Sequence, residues 1–407
     1  MSLPSSLARK SVKQRFASPP SITPLMESFR LMCNDAIRIG LAADASTLKR
    51  LSKLTYGELG RYEVPSYYKL CAISKAAGIL AARMKSIRRG FPTKNPYLSK
   101  PILVSCYRFK IEDGSLLVPL GDHRFERIPL NLHTFAELSQ PGMQVRSFTL
   151  AERSLSLCIA REVEEMQQVE GVVGIDRNLR NVTVGNDTQV TYYGVSKTVE
   201  IAETTRNVVR SFRRNDVRIR KKLAAKHGQR RQERVRQILN RVSKSIMAEA
   251  RAKKQAIAFE DITDIRKLYR TGNGQGRGFR GQMNSWPFAE LKRQVEYKAA
   301  WEGVPVITLT KGQTRGTTLD CPQCGEGLRA AVRDDSQHYR QLWCQRCGRW
   351  EDRDLVAVMD ISRRAWLRFG HAKGEAGEAV KGNPDGKRQQ AILRVDASKP
   401  RHAQQTQ

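Results

Sequence analysis

The sequence carries two C-x2-C turns, Cys321-Pro-Gln-Cys324 and Cys344-Gln-Arg-Cys347, with nineteen residues between them and a glycine, Gly325 or Gly348, after each. Two thiolates from one tight turn supply two corners of a tetrahedron, and the glycine lets backbone amides turn toward the sulfurs. Cys321, Cys324, Cys344 and Cys347 are therefore expected to hold a Zn2+ ion and to staple a small ribbon over residues 315–350. With all four corners filled by protein, no position stays open for water or substrate, so the role of this metal is structural. A thioredoxin-like redox use fits poorly with two such pairs, and His338 between them reads as a surface residue. Cys33, Cys71, Cys106 and Cys158 stand singly among apolar neighbours and read as small buried hydrophobes.

Charge narrows the partners. Lys and Arg total 72 against 40 acids, a net +32, and the pI is about 10.2. Such an excess calls for a polyanion, and nucleic acid is the leading partner. A membrane partner is not expected, because no apolar stretch approaches the length of a spanning helix. The start, MSLPSSLARKSVKQRF, lacks the apolar run of a secretory signal, so a cytoplasmic location is expected.

Hydrophobic periodicity divides the 407 residues into parts that together read as a multidomain α+β chain. Residues 1–24 carry Ser and Pro without periodicity and read as a mobile lead. Over 25–95, Leu25, Phe29, Met32 and Ala36, then Tyr68, Leu70, Ile73, Ala77, Leu80 and Met84, recur at helical spacing and predict a helical bundle. Residues 96–168 hold short alternating runs suited to a small β-barrel. A third region, 169–314, opens with the strand VVGID and a hairpin. It continues with basic helices broken at Gly228, the buried strand AIAFE, and a Gly-rich flexible loop. A helix capped by Ser285 and ended by Gly303 follows, then the strand VPVITL. Residues 351–370 add an amphipathic helix, and 371–407 read as a disordered tail.

Three acids sit at the edges of core elements: Asp176 in or just past VVGID, Glu260 at the end of AIAFE, and Asp354 at the start of the last helix. A single acid there is commonly a cap, and Asp354 alone reads as one. Three converging carboxylates in a basic protein can instead hold two Mg2+ or Mn2+ ions for phosphodiester cleavage. The residues by themselves leave both readings open.

Basic residues concentrate between 206 and 254, where Arg213, Arg214, Arg218, Arg220, Lys221, Lys222, Arg230, Arg231 and Arg234 have few acids at i,i+4 spacing. That density suits phosphates better than a solvated face of mixed sign. The Gly-rich loop adds Arg270, Arg277 and Arg280, with Phe279 able to stack on a base. Trp343 and Trp350, flanking the second cysteine pair, read as cover for the scant ribbon core.

In their order, GIDRN, FEDIT, WPFAELKRQVEYKAAWEGVPVITL, CPQCG, CQRCG and EDRDLVAVMDI resemble the TnpB family of transposon-encoded RNA-guided nucleases, densely from about Val172 to Phe369. The resemblance implies an RNase H-like (RuvC) α/β nuclease core with an inserted zinc ribbon that binds target nucleic acid. Ahead of it, the family has a wedge-like barrel interrupted by a helical recognition domain. Carried over by motif, Asp176, Glu260 and Asp354 become the three catalytic carboxylates, with Mg2+ or Mn2+ as the catalytic ion. Guide RNA and target DNA become the partners, in the nucleoid of a prokaryotic cell. Two features depart from the pattern: Arg177-Asn178 after the first acid, and Val356 where asparagine is frequent. A miniature type V CRISPR effector and a cleavage-inactive RNA-guided DNA-binding protein are the alternative readings.

Overall fold

A computed structural model describes residues 5–212, 217–263, 265–269, 274–330, 340–372 and 391–398. The chain forms two compact units, Leu7–Glu162, and Val163–Gln407 together with Met1–Ser6. Helices and strands mix in both, in a multidomain α+β fold. No helix among the described residues is long and apolar enough to cross a membrane.

The first unit begins with β1 (Ser5–Arg15), followed by α1 (Thr23–Ala42), α2 (Leu48–Thr55) and α3 (Ser66–Arg88). Next come β2 (Ile102–Ser105), β3 (Lys110–Glu112), β4 (Ser115–Gly121), β5 (Arg124–Pro129), α4 (Leu132–Leu138), β6 (Gln144–Ala151) and β7 (Ser154–Glu164). The strands make a four-stranded sheet, β1-β7-β6-β2, and a three-stranded sheet, β3-β4-β5. Apolar stripes of α1 (Phe29, Met32, Ala36) and α3 (Tyr68, Ile73, Ala77) are buried, whereas Leu70 is exposed. The expected mobile lead is corrected here, since β1 is an edge strand of the four-stranded sheet. Its inward face is Ala8, Val12 and Gln14, with Phe16 just past its end, too weakly apolar to stand out in sequence. Gln14 is satisfied across the fold, donating to the Pro129 carbonyl at 2.9 Å and accepting from the Asn131 amide. Cys33 and Cys71 are buried and Cys158 half-buried, but Cys106 is exposed, contrary to its expected role as a core residue.

The second unit is built on a six-stranded mixed sheet. In chain order its elements are β8 (Gly171–Arg177), β9 (Asn181–Gly185), β10 (Gln189–Gly194), α5 (Ser196–Ser211), α6 (Val217–Ala252), β11 (Gln255–Glu260), α7 (Arg277–Ser285), α8 (Phe288–Glu302) and β12 (Val306–Leu309). The short strands β13 (Arg329–Ala330), β14 (Gln341–Cys344) and β15 (Arg349–Asp352) precede α9 (Arg353–Ala372) and β16 (Ala391–Asp396). The sheet order is β12-β11-β8-β9-β10-β16, with β8, β11 and β12 parallel and β8-β9-β10 an antiparallel meander. Strand parity sorts its two faces. Val173, Ile175, Ile257 and Phe259 pack into the larger core with residues of α6 and α8, while Val172, Ala256 and Ala258 pack with Ile361 and Ala365 of α9. Helices therefore cover both faces, which is why β8 and β11 read as continuous apolar runs.

Several expectations for this unit need correction. The helix does not break at Gly228: α6 runs unbroken from Val217 to Ala252, and a Cβ at that glycine would meet nothing within 4 Å. One glycine costs a helix only about 1 kcal/mol, and packing of Val235, Leu239, Val242 and Ile246 outweighs that. Ser285 does not cap α8; its hydroxyl donates to the Gln282 carbonyl at the end of α7, and Pro287 precedes the first turn of α8. The Gly-rich segment is not all loop, because α7 starts at Arg277 and anchors buried Met283 in the core. The tail is not wholly without structure either: β16 pairs in parallel with β10, Gln189 to Gly194 against Ala391 to Asp396. Arg213, Arg214, Arg270 and His338 lie outside the described residues, as do the side chains of Arg218 and Arg220.

Candidate active site

Parity also decides where two of the acids point. Val172, Gly174 and Asp176 alternate on the α9 side of β8, and Ala256, Ala258 and Glu260 do the same on β11. Because Ile175 pairs with Phe259 in parallel register, Asp176 and Glu260 stand side by side at the carboxyl ends of neighbouring strands. Ligand sites of open α/β sheets lie at that edge.

The third acid arrives on α9. A Cβ on Gly174 would lie 2.3 Å from the Val358 carbonyl, so only glycine lets the helix cross β8 this closely. Ser362 Oγ, donating to the Val172 carbonyl at 2.6 Å, pins the same crossing. Capping of α9 falls to Asp352, whose Oδ1 accepts from the Asp354 and Leu355 amides at 2.8 and 3.3 Å. Asp354 is thus released from the capping role that its position alone suggested, and its carboxylate, 6% exposed, turns to the sheet edge.

The charges of Asp354 and Glu260 reach Asp176, although the three carboxylates are not drawn within 4.8 Å of one another as the four cysteine sulfurs are. Burial first, and then the carboxylates of Asp354 and Glu260, push the Asp176 carboxyl up to about 7. Burial likewise raises Glu260, opposed by a hydrogen bond from Thr317 and by the guanidinium charges of Arg177 and Arg364.

Neighbouring side chains hold each carboxylate in place. Asn178 donates to Asp176 Oδ2 at 2.7 Å, Asn181 to Asp354 Oδ2 at 2.9 Å, and Thr317 to Glu260 Oε1 at 3.2 Å. Arg340 donates to Asp354 Oδ1 at 2.6 Å. Arg177 turns to the opposite face of β8, where it is buried. It donates to the Glu260 carbonyl at 2.6 Å and the Phe288 carbonyl at 3.2 Å, with its guanidinium over the Phe259 ring. The residues that depart from the family pattern, Arg177 and Asn178, thus brace the site. Of these residues the sequence singles out only Arg177 and Asn178, as departures from the pattern; nothing local marks Asn181, Thr317 or Arg340.

The cysteine cluster lies in the segment between β12 and α9. Among the described residues, Cys321, Cys324, Cys344 and Cys347 are the group of His, Cys, Asp or Glu whose ligand atoms all lie within 4.8 Å of one another. Two sulfur pairs are 3.8 Å (Cys321–Cys347) and 3.4 Å (Cys324–Cys344) apart. A tetrahedral zinc with Zn–S of about 2.3 Å needs sulfurs about 3.8 Å apart, so this cluster can bind zinc. Gly325 and Gly348 have φ of 74° and 64°, and their amides donate to the Cys321 and Cys344 carbonyls at 2.9 Å, closing both turns. The three-stranded sheet β13-β14-β15 carries the second pair, and Trp343 faces Trp350 across it with ring centroids 5.4 Å apart. Arg363 of α9 donates to the Pro322 carbonyl, tying the first turn to the helix that carries Asp354.

Residues 288–361, from α8 through both cysteine turns into α9, match the Cas12f1-like TNB domain. Over 270 residues the chain is 29% identical to the TnpB-like protein MJ0751 of Methanocaldococcus jannaschii, an alignment covering 63% of this chain and 93% of that protein. The chain is thus similar to a TnpB-like protein over most of that protein's length. The solved structure of the mini-RNA-guided endonuclease CRISPR-Cas_phi3 is similar to this chain at a TM-score of 0.49 and 9% identity, over 88% of this chain and 92% of that one. At that score the likeness decides nothing about the site.

Of the basic residues expected to touch nucleic acid, Lys221, Lys222 and Arg230 are exposed on α6 and Arg231 is half-buried. None of the four has a carboxylate partner among the described residues. Arg277 is exposed on α7, and Arg280 donates to the Gln275 carbonyl. Phe279 is 46% exposed, with its ring edge-on to Tyr269.

Proposed function

We propose that this protein is an RNA-guided, Mg2+-dependent DNA endonuclease associated with a transposable element, and that the six-stranded sheet with α9 is an RNase H-like (RuvC) nuclease core. The observation that carries the reading is the placing of Asp176 and Glu260 side by side at one sheet edge, with Asp354 near enough for its charge to help lift Asp176 to about 7.

Three carboxylates grouped at one sheet edge, with Arg340 engaging only one oxygen of Asp354, form a hard-oxygen donor set that fits Mg2+ or Mn2+. Two such ions, when bound, activate a water and stabilise the leaving oxygen of a phosphodiester. The protein's part is to hold the donors still. Asn178 and Asn181 orient the outer acids, Thr317 orients Glu260, and Arg177 fixes the end of β11 through the Glu260 carbonyl. The four-cysteine ribbon, with zinc bound, keeps Arg340 and the start of α9 in register with the sheet. The basic surface of α6 supplies phosphate contacts whose strength falls as salt rises. Guide pairing, in this reading, selects the DNA target, as it does in RNA-guided effectors.

Purification from cells that transcribe the flanking element, sequencing of co-purified RNA, and cleavage of matching DNA test the proposal. Cutting should require Mg2+, stop with EDTA, and vanish in Asp176→Ala. A preparation without bound RNA whose cutting is unchanged by Asp176→Ala overturns it.

A further inference from the structure

On the face of the sheet opposite the carboxylates lies a cavity of about 220 Å3 between α5, α6, the end of α7 and the start of α8. Its walls are mixed: Leu179, Val199, Ala202 and Val235 are apolar, and Arg231, Gln232, Gln282 and the other polar side chains face them, with Trp286 also in the lining. Leu179 is three residues beyond Asp176, and Phe288, two beyond Trp286, accepts the hydrogen bond of Arg177, so the cavity and the site share the β8–β9 connection while facing opposite sides of the sheet. Trp286 is only 2% exposed, yet its indole N–H has no acceptor among the described residues. Buried indole N–H groups ordinarily find a partner, and leaving one unmatched is costly. Arg231 lines the same cavity from α6, with no carboxylate paired to it among the described residues. Glu290 also lines the space, but Arg293, Gln294 and Arg236 already engage its oxygens.

We propose that this cavity is a receptor for one unstacked nucleobase of a single strand, with its acceptor atom on the Trp286 indole N–H and its phosphate on Arg231. The volume is below the roughly 300 Å3 at which pockets for drug-sized ligands begin, so it suits one planar ring system. The aliphatic part of the wall accepts the faces of a base, the N–H asks for an acceptor on its edge, and the guanidinium asks for an anion. A base seated here anchors a strand on the α5–α6 face of the sheet, in a position that pairing with a complementary strand would empty. The inference rests on the nucleic-acid-binding part of the proposed function and adds a specific seat to it.

Single-stranded 15-mers of DNA and of RNA, each with one 5-iodouracil, provide the test: binding is followed by anisotropy and photocrosslinks are mapped by mass spectrometry. The expected crosslinks fall on Trp286 or the Leu179 peptide, and whether the DNA or the RNA gives them identifies the strand that is held. Ala202→Met, which fills the cavity from α5, should cut those crosslinks by roughly fivefold while anisotropy binding stays within about twofold, because the α6 phosphate contacts remain. Trp286→Phe, which removes the N–H and keeps an aromatic ring, should weaken them in the same direction. Crosslinks in the unaltered protein that map elsewhere, or that survive Ala202→Met in a folded variant, overturn the proposal and leave nucleic-acid binding standing. Absence of any oligonucleotide binding overturns both.

Discussion

Arg340 Nη2 lies 2.6 Å from Asp354 Oδ1, a charge-assisted hydrogen bond that joins the segment ahead of β14 to the first turn of α9. A guanidinium there competes with a divalent cation for the same carboxylate oxygen. Arg340→Ala should therefore tighten Mn2+ binding at the carboxylates. Because Arg340 is about half exposed, the gain is on the order of 1 kcal/mol, or roughly fivefold in Kd. Calorimetric titration of Mn2+ into the zinc-loaded protein measures it, and unchanged or weaker binding contradicts the competition.

Asp176 and Asp360 each have a carboxyl pushed up to about 7, mainly by burial, and Asp360 Oδ2 is buried with no partner among the described residues. An unfolded aspartate releases its proton near pH 4. Between about pH 4 and 7 the folded chain thus holds protons that the unfolded chain has lost, so its stability without divalent ions falls as pH rises through that window. Asp176→Asn should raise Tm at pH 8, with EDTA present, by about 3–6 °C, on the order of 1–2 kcal/mol, and change little at pH 4. It should also abolish cleavage. Asp360→Asn should flatten the same slope and retain cleavage. Melting curves from pH 4 to 8, with EDTA or with Mg2+, check the sign, and Mg2+ should offset the loss at high pH by binding the ionised form.

Loss of zinc should act locally first. Cys344→Ser, or extraction of the metal under mild conditions, is expected to release residues 315–352 to rapid amide exchange, while β8 and β11, buried in the core, stay protected. Cleavage should fall at least tenfold, since Arg363 and Arg340 couple the cysteine turns to α9. Hydrogen exchange with and without zinc reads both halves of the expectation.

Phosphate contact along α6 predicts a salt signature. Lys221→Gln, Lys222→Gln and Arg230→Gln should each weaken nucleic-acid binding and lower the slope of log K against log salt by roughly 0.7–0.9 per contact removed. All three side chains are exposed, so each variant should keep the fold and the Tm of the unaltered chain. Slopes equal to that of the unaltered chain place the contact elsewhere.

Some of this protein was determined by short stretches of sequence alone. The four-cysteine cluster was legible because its geometry is set within each C-x2-C-G turn, and the strands that carry Asp176 and Glu260 were legible because a sheet covered on both faces needs uninterrupted apolar runs. The same holds for α8 and its end at Gly303, whose φ is 70°. Tertiary structure decided the rest. Strand β1, with Ala8, Val12 and Gln14 inward, and strand β16 exist only because partners far along the chain complete their hydrogen bonds. Which acid caps α9 and which faces the sheet depended on the crossing at Gly174, and the placing of Arg340, Thr317 and the Trp286 cavity depended on loops that meet only after folding. The physical reason is range: turn chemistry and hydrophobic period act over a few residues, whereas convergence of side chains is a property of the path the backbone takes between them.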